Sequence, residues 1–127
     1  AARLSGAAAP DGVVITSALL AGQTGARKAW VADTVFEARL EDIRVPVLVV
    51  GHASDQCSRS PVKFSAAVTD RTNGVREQVV TVTGGPGEAM NFTPGIEACI
   101  GRAPHGFVGQ EEEVAAGIAR FIRGGRY

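Results

Sequence analysis

Three apolar runs separated by turn residues dominate the pattern of hydrophobic and polar positions. A β-branched run over residues 12–18 follows the turn signal Asp11-Gly12 and predicts a first strand. The continuous apolar run over 47–51 predicts a second strand, covered on both faces as in the centre of a parallel sheet. A valine-rich stretch over 77–82 predicts a third strand.

Helical patterns alternate with these strands. Ser60 as N-cap with Pro61 at the first helical position predicts a helix that runs to about residue 70. The clearest helix follows Gln110, where three glutamates open an amphipathic stretch that ends at Gly124. Residues 21–33 and 84–109 show no steady period and are predicted loops, and 36–43 holds a helical turn at best.

Strands alternating with helices indicate the α/β class, here a three-stranded parallel sheet with flanking helices and right-handed crossovers. The 127 residues are 45% hydrophobic, which suits one domain with a single core over 1–127. Thirteen basic residues balance thirteen acidic ones, and no apolar run approaches the length of a membrane span. We therefore expect neither a nucleic acid nor a membrane as partner, and we predict no cofactor.

Two predicted loops carry residues with catalytic chemistry. Asp55 follows the second strand, and His105 lies late in the long loop before the final helix. The ends of parallel strands converge at one edge of a sheet, so the carboxylate and the imidazole are placed to form a pair. The alternative is that Asp55 caps a turn and His105 is an ordinary loop histidine.

Two further kinds of site are weaker. The run Gly84-Gly85-Pro86-Gly87 lacks the Gly-Lys-Ser/Thr ending of a phosphate-binding loop and is read as a turn. Metal-ligand chemistry is present in five residues whose spacings match no zinc pattern, so we predict no metal site; they are His52, Asp55, Cys57, Cys99 and His105. The two cysteines form either a disulfide or two unrelated thiols.

The segment 43–52, which reads I-R-V-P-V-L-V-V-G-H and leads to Asp55, resembles the strand that delivers the catalytic acid in α/β-hydrolases. The sequence Pro104-His105-Gly106-Phe107 before an amphipathic helix is similar to the histidine loop of that superfamily, including its dienelactone-hydrolase-like members. Residues 11–17 resemble the strand after the nucleophile helix, and residues 1–9 its tail. The chain order, acid then histidine, also agrees with that superfamily.

The resemblance implies that this chain is the C-terminal portion of an α/β-hydrolase acting on esters or related acyl compounds. Asp55 would be the triad acid and His105 the general base. The sequence contains no G-x-S-x-G elbow, and Ser17 and Ser54 lack its glycines. We therefore expect the nucleophile and the preceding strands upstream of Ala1, and we expect the chain alone to be inactive.

If Asp55 and His105 meet, Cys57 and Cys99 are drawn together, so the resemblance also implies a disulfide between the two loops. Such a bond favours a secreted or periplasmic location. The expected partners are the N-terminal half of the hydrolase, or a second copy joined through residues 12–18, and a small ester substrate in the intact enzyme. The alternative function is a non-catalytic, disulfide-stapled α/β module for binding or assembly.

Overall fold

The computed structural model describes residues 8–22 and 33–127. Within them lie strands β1 (Val13–Thr16), β2 (Val47–His52) and β3 (Glu77–Val82), which form one parallel sheet in the order β1-β2-β3. Val13 is in register with Val47, and Val47 with Glu77. The predicted α/β class and three-stranded parallel sheet are confirmed. The tail over 1–9 and the loop over 21–33 lie mostly outside the described residues.

Strand β2 forms the centre of the core because alternate side chains of its apolar run point to opposite faces of the sheet. Val47 and Val49 pack into a cluster on one face with Leu20, Leu40, Ile43 and Val68. Leu48 and Val50 pack on the other face with Val82, Phe107, Val114 and Phe121. All six residues of β2 are buried, which explains why the run shows no polar alternation.

Over residues 8–22 and 33–127, three α-helices flank the sheet: α1 (Ala66–Thr69), α2 (Gly85–Glu88) and α3 (Glu111–Ile122). Helix α3 is the predicted C-terminal helix, with all three glutamates in its first turn and Phe121 buried. Short 3₁₀ turns occur at Val35–Glu37, Leu40–Asp42, Val62–Phe64, Ile96–Ala98 and Pro104–Gly106. The turn at Leu40–Asp42 agrees with the helical turn expected in that region.

The predicted N-cap at Ser60 is wrong. The first turn after it is the 3₁₀ turn Val62–Phe64, and Pro61 precedes that turn as its cap without a side-chain hydrogen bond. The Ser60 hydroxyl donates instead to the backbone oxygen of Ser17, 3.0 Å away at the end of β1. A long-range contact between two loops has replaced the local cap.

None of the described helices is both long enough and apolar enough to cross a membrane.

Candidate functional site

The acid loop begins where β2 ends. The backbone turns after His52, with the Asp55 N–H donating to the His52 carbonyl oxygen at 3.1 Å. Asp55 Oδ1 accepts from the Cys57 N–H at 2.8 Å, an Asx-type turn that fixes the carboxylate. The side chain of Asp55 is only 1% exposed. A carboxylate buried to this degree needs hydrogen-bond donors or a cation as partners.

His105 lies in the 3₁₀ turn Pro104–Gly106. Gly106 is needed there because an added Cβ would collide with the backbone of Gly101. Phe107, which follows, takes the left-handed conformation (φ 57°) and buries its ring in the core face that contains Leu48. The turn is therefore anchored on both sides of the histidine.

The two loops bring the predicted pair together. His105 Nδ1 lies 3.0 Å from Asp55 Oδ2, and the histidine side chain is 19% exposed. Asp55 therefore has a donor on each oxygen, Cys57 N–H on Oδ1 and His105 on Oδ2. An ionised carboxylate can only accept, so Nδ1 carries the proton and Nε2 keeps its lone pair in the neutral ring. This is the tautomer that a general base requires.

A disulfide joins Cys57 to Cys99, so the predicted bond is confirmed. It joins two segments that are also paired through their backbones, because Cys57 and Gly95 form an isolated parallel bridge. The Gly95 N–H donates to the Gln56 oxygen at 3.0 Å, and the Ser58 N–H donates to the Gly95 oxygen at 3.2 Å. The acid loop is thus held to the segment before His105 both covalently and by hydrogen bonds.

Ser17 has a role that the sequence did not reveal. Its hydroxyl donates to the backbone oxygen of His105 at 2.5 Å, and its backbone has a φ of 45°. A left-handed conformation is uncommon in a residue other than glycine, asparagine or aspartate, and such outliers cluster at functional sites. Ser17 directly follows β1, the strand beside β2, and that position is the only sequence signal that points to it.

His52, a candidate metal ligand by residue type, is engaged elsewhere. Its Nδ1 accepts from the Ser54 N–H at 3.0 Å, which places the proton on Nε2. Nε2 faces the Gly84 oxygen at 3.2 Å and Gln110 Oε1 at 3.1 Å. The ring is 1% exposed and links the end of β2 to the residue before α3. His52 therefore has a structural role, and neither ring nitrogen is free to bind a ligand.

A surface depression of about 300 Å³ lies at the opposite edge of the sheet. It is lined at the beginning of β1 by Val13 and at the end of α3 by Phe121 and Ile122. Ligands of parallel α/β sheets bind at the carboxyl ends of the strands, where Asp55 and His105 lie. We therefore place the candidate site at the loops and not at the depression.

Neither the family models, the curated proteins nor the solved structures contain a match to this chain. The site's chemistry therefore carries the functional argument. Among the described residues a buried acid, a histidine in the base tautomer and a disulfide meet at the carboxyl edge of a parallel sheet. The roles of Asp55 and His105 in catalysis stay predictions.

Proposed function

We propose that this chain supplies the acid and the general base of a serine-hydrolase site, in the C-terminal portion of an α/β-hydrolase domain. The observation that carries the proposal is the hydrogen bond of 3.0 Å between buried Asp55 and His105 Nδ1. The carboxylate fixes the ring and stabilises the imidazolium that forms when Nε2 takes a proton.

In this mechanism a serine hydroxyl loses its proton to His105 Nε2 as its oxygen attacks the ester carbonyl. His105 then returns the proton to the alcohol that leaves, and a water molecule repeats the sequence to release the acid. Ser17 holds the His105 backbone through its hydroxyl, which already donates to the His105 carbonyl oxygen. We therefore assign Ser17 a positioning role, and the nucleophile comes from a G-x-S-x-G elbow, which this sequence does not contain.

Exposed apolar side chains in the chain segments that carry Ser17 and Cys99 favour an uncharged acyl substrate. Leu19 is exposed two residues after Ser17, and Ile96 and Ile100 are exposed on either side of Cys99. The disulfide joins the segment of Ile96 and Ile100 to the acid loop, and the Ser17 hydroxyl joins the segment of Leu19 to the His105 backbone. Exposed apolar surface beside convergent polar groups is typical of sites for small organic ligands.

The first test is the upstream reading frame, because the proposal requires a G-x-S-x-G elbow encoded before Ala1. The second is hydrolysis of 4-nitrophenyl acetate and butyrate by the polypeptide translated from that frame. Asp55→Asn is expected to lower kcat by roughly 10⁴-fold and His105→Ala by roughly 10⁶-fold, as loss of the triad acid and of the triad base do. The matched control is Asp42→Asn, which removes a surface carboxylate paired with Arg39 and should leave kcat unchanged.

An elbow-containing polypeptide whose ester hydrolysis is insensitive to both site variants would contradict the proposal. The absence of an elbow would favour the alternative, a disulfide-stapled binding or assembly module. The 127-residue chain alone is expected to hydrolyse neither ester above the rate of a blank.

A further inference from the structure

Three groups with metal-ligand chemistry meet beside the disulfide. One ligand atom from each of Asp55, Cys57 and His105 lies within 4.8 Å of the other two. Cys99 Sγ is bonded to Cys57 Sγ and therefore belongs to the same cluster. Two thiolates, one imidazole and one carboxylate are all established ligands of zinc.

We propose that reduction of the Cys57–Cys99 disulfide by a dithiol converts this cluster into a four-coordinate zinc site. The ligands would be Asp55 Oδ2, Cys57 Sγ, Cys99 Sγ and His105 Nδ1. The inference does not depend on the hydrolase proposal, because it uses only the residues present here. Zinc and the acid–base pair exclude each other, since both use His105 Nδ1.

The electrons and protons balance in two steps. A dithiol gives two electrons and two protons to the disulfide, leaving as a cyclic disulfide while Cys57 and Cys99 become thiols. Zinc binding then releases the two thiol protons to solvent. The proton on His105 Nδ1 is lost as that nitrogen binds the metal, and Nε2 takes up a proton from water, so the imidazole stays neutral.

The geometry needs little rearrangement on the Asp55 side. A tetrahedral zinc with bonds of about 2.0–2.2 Å to nitrogen and oxygen holds those two atoms roughly 3.3 Å apart. Asp55 Oδ2 and His105 Nδ1 are already 3.0 Å apart. Asp55 Oδ1 keeps its hydrogen bond from the Cys57 N–H, which would act as an outer-shell contact that orients the carboxylate.

The sulfur atoms stay close when the covalent bond opens, because backbone contacts also hold the two segments. The parallel bridge between Cys57 and Gly95 remains, with hydrogen bonds of 3.0 and 3.2 Å on its two sides. The two cysteine Cα atoms are 4.6 Å apart, so rotation of the side chains separates the sulfur atoms without moving the loops. The reduced chain therefore keeps both thiols at the acid and the histidine.

Burial also favours a cation at this position. The Asp55 side chain is 1% exposed and Cys57 is 2% exposed, so a metal ion there would be shielded from water. The His105 side chain is 19% exposed, so the cluster reaches the protein surface at the histidine. His52 is excluded from the ligand set because both of its ring nitrogens already have hydrogen-bond partners.

The experiment uses Co²⁺ as a spectroscopic probe and Zn²⁺ as the competitor. The chain is reduced with dithiothreitol, desalted without oxygen and titrated with Co²⁺. We expect one equivalent to bind, with thiolate-to-cobalt charge transfer and the visible bands of a tetrahedral site, and Zn²⁺ to displace it. The oxidised chain should show neither the charge-transfer absorption nor the visible bands, and the same holds for reduced chain alkylated with iodoacetamide.

Two variants separate the proposed site from binding by thiols alone. His105→Ala is expected to weaken Co²⁺ binding at least about tenfold, since loss of even an outer-shell partner costs about 10–100-fold. Asp55→Asn, which removes the other protein ligand that is not a thiolate, is likewise expected to weaken Co²⁺ binding. Its matched control is Asp70→Asn, which changes an exposed aspartate at the end of α1 and should leave the affinity unchanged. Failure of the reduced chain to bind Co²⁺, or equal affinity in wild type and His105→Ala, would overturn the proposal. Neither result bears on ester hydrolysis by the oxidised protein.

Discussion

His52 and His105 are held in opposite tautomers. His52 Nδ1 accepts a backbone N–H from Ser54, whereas His105 Nδ1 donates to the carboxylate of Asp55. The first ring therefore carries its proton on Nε2 and the second on Nδ1. These are the only two histidines in the sequence, so each can be followed separately.

The first prediction concerns these tautomers. Long-range ¹H–¹⁵N spectra of the neutral rings should show one Nε2–H and one Nδ1–H histidine. Asp55→Asn should shift His105 toward the Nε2–H form, because a neutral amide holds the Nδ1–H less strongly than a carboxylate does. The His52 signals serve as the internal control. Two Nε2–H rings in the wild-type chain would show that the Asp55–His105 hydrogen bond does not form in solution.

The second prediction concerns Ser17, whose left-handed backbone lowers the stability of the fold while its hydroxyl hydrogen bond raises it. Ser17→Ala loses the hydrogen bond to the His105 oxygen and keeps the strained φ of 45°. Ser17→Gly loses the same bond but removes a left-handed penalty of about 1–2 kcal/mol. Urea unfolding should therefore rank the glycine variant about 1 kcal/mol above the alanine variant. Equal stabilities would show that the backbone at residue 17 is not strained.

The sequence predicted the centre of this fold better than its connections. Strand β2 was recognisable because its continuous apolar run is required where both faces are buried, and α3 because its charges and apolar stripe coincide. The proximity of Asp55 and His105 followed from a general property of parallel sheets, that loops after neighbouring strands share one edge.

The remaining features depend on contacts between distant residues. Ser60 carries a good capping side chain, yet its hydroxyl bonds to Ser17, 43 residues earlier. Helix α2 and the 3₁₀ turns before His105 are three or four residues long, which is too short to produce a hydrophobic period. The left-handed conformation of Ser17 has no local signal, because glycine or asparagine is the usual residue there.

The third prediction concerns pH and Tyr127, the only tyrosine of the chain. Burial raises its pKa above the ordinary value of about 10, and Glu113 adds to the rise while Arg120 opposes it. The unfolded chain then loses this proton at a lower pH than the folded chain. The contribution of protonated Tyr127 to the free energy of unfolding is therefore fully present below about pH 10. It is lost as the pH rises through the pKa of the folded chain.

Phenolate absorbance against pH measures the ionisation directly, and urea unfolding between about pH 8 and 11 measures its linkage to stability. Tyr127→Phe should remove that pH dependence and leave neutral-pH stability unchanged or higher, because among the described residues the hydroxyl has no hydrogen-bond partner. In Gly117→Ala the new Cβ would lie 2.5 Å from Tyr127 Cε2 and displace the ring. In that variant the Tyr127 phenol should ionise nearer to pH 10. An unchanged titration would contradict the packing of Tyr127 against Gly117.

The fourth prediction is that the isolated chain associates through β1, which has no second neighbour among the described strands. The Val13 N–H donates to the Pro46 oxygen directly before β2, and the Ser17 N–H donates to the Val50 oxygen of β2. By strand alternation the Thr16 N–H therefore points away from β2. Val47 at the start of β2 and Ala53 directly after it donate to the carbonyl oxygens of Arg76 and Val82. Arg76 and Val82 therefore face β2, and by the same alternation the Thr81 N–H of β3 points away from it.

Thr16 and Thr81 are therefore matched positions for proline substitution. Both residues are exposed, and the N–H of each points away from β2. Sedimentation of the wild-type chain should show self-association, since an unpaired edge and its apolar surface favour pairing with another chain. Thr16→Pro should shift the population toward monomer, while Thr81→Pro should not. A wild-type chain that sediments as a cooperatively folded monomer would refute the prediction and favour the self-sufficient module.

The position of the disulfide in the chain also sets an order of events during folding. Cys57 follows β2, Cys99 follows β3 at a sequence separation of 42, and the segment between them includes the whole of β3. The two thiols reach their native positions only once β3 has paired with β2, and parallel pairings between distant segments are slow steps. The loss of free thiols during refolding therefore reports when β3 docks against β2. A refolding chain trapped with an alkylating reagent should show free thiols for as long as that strand remains undocked.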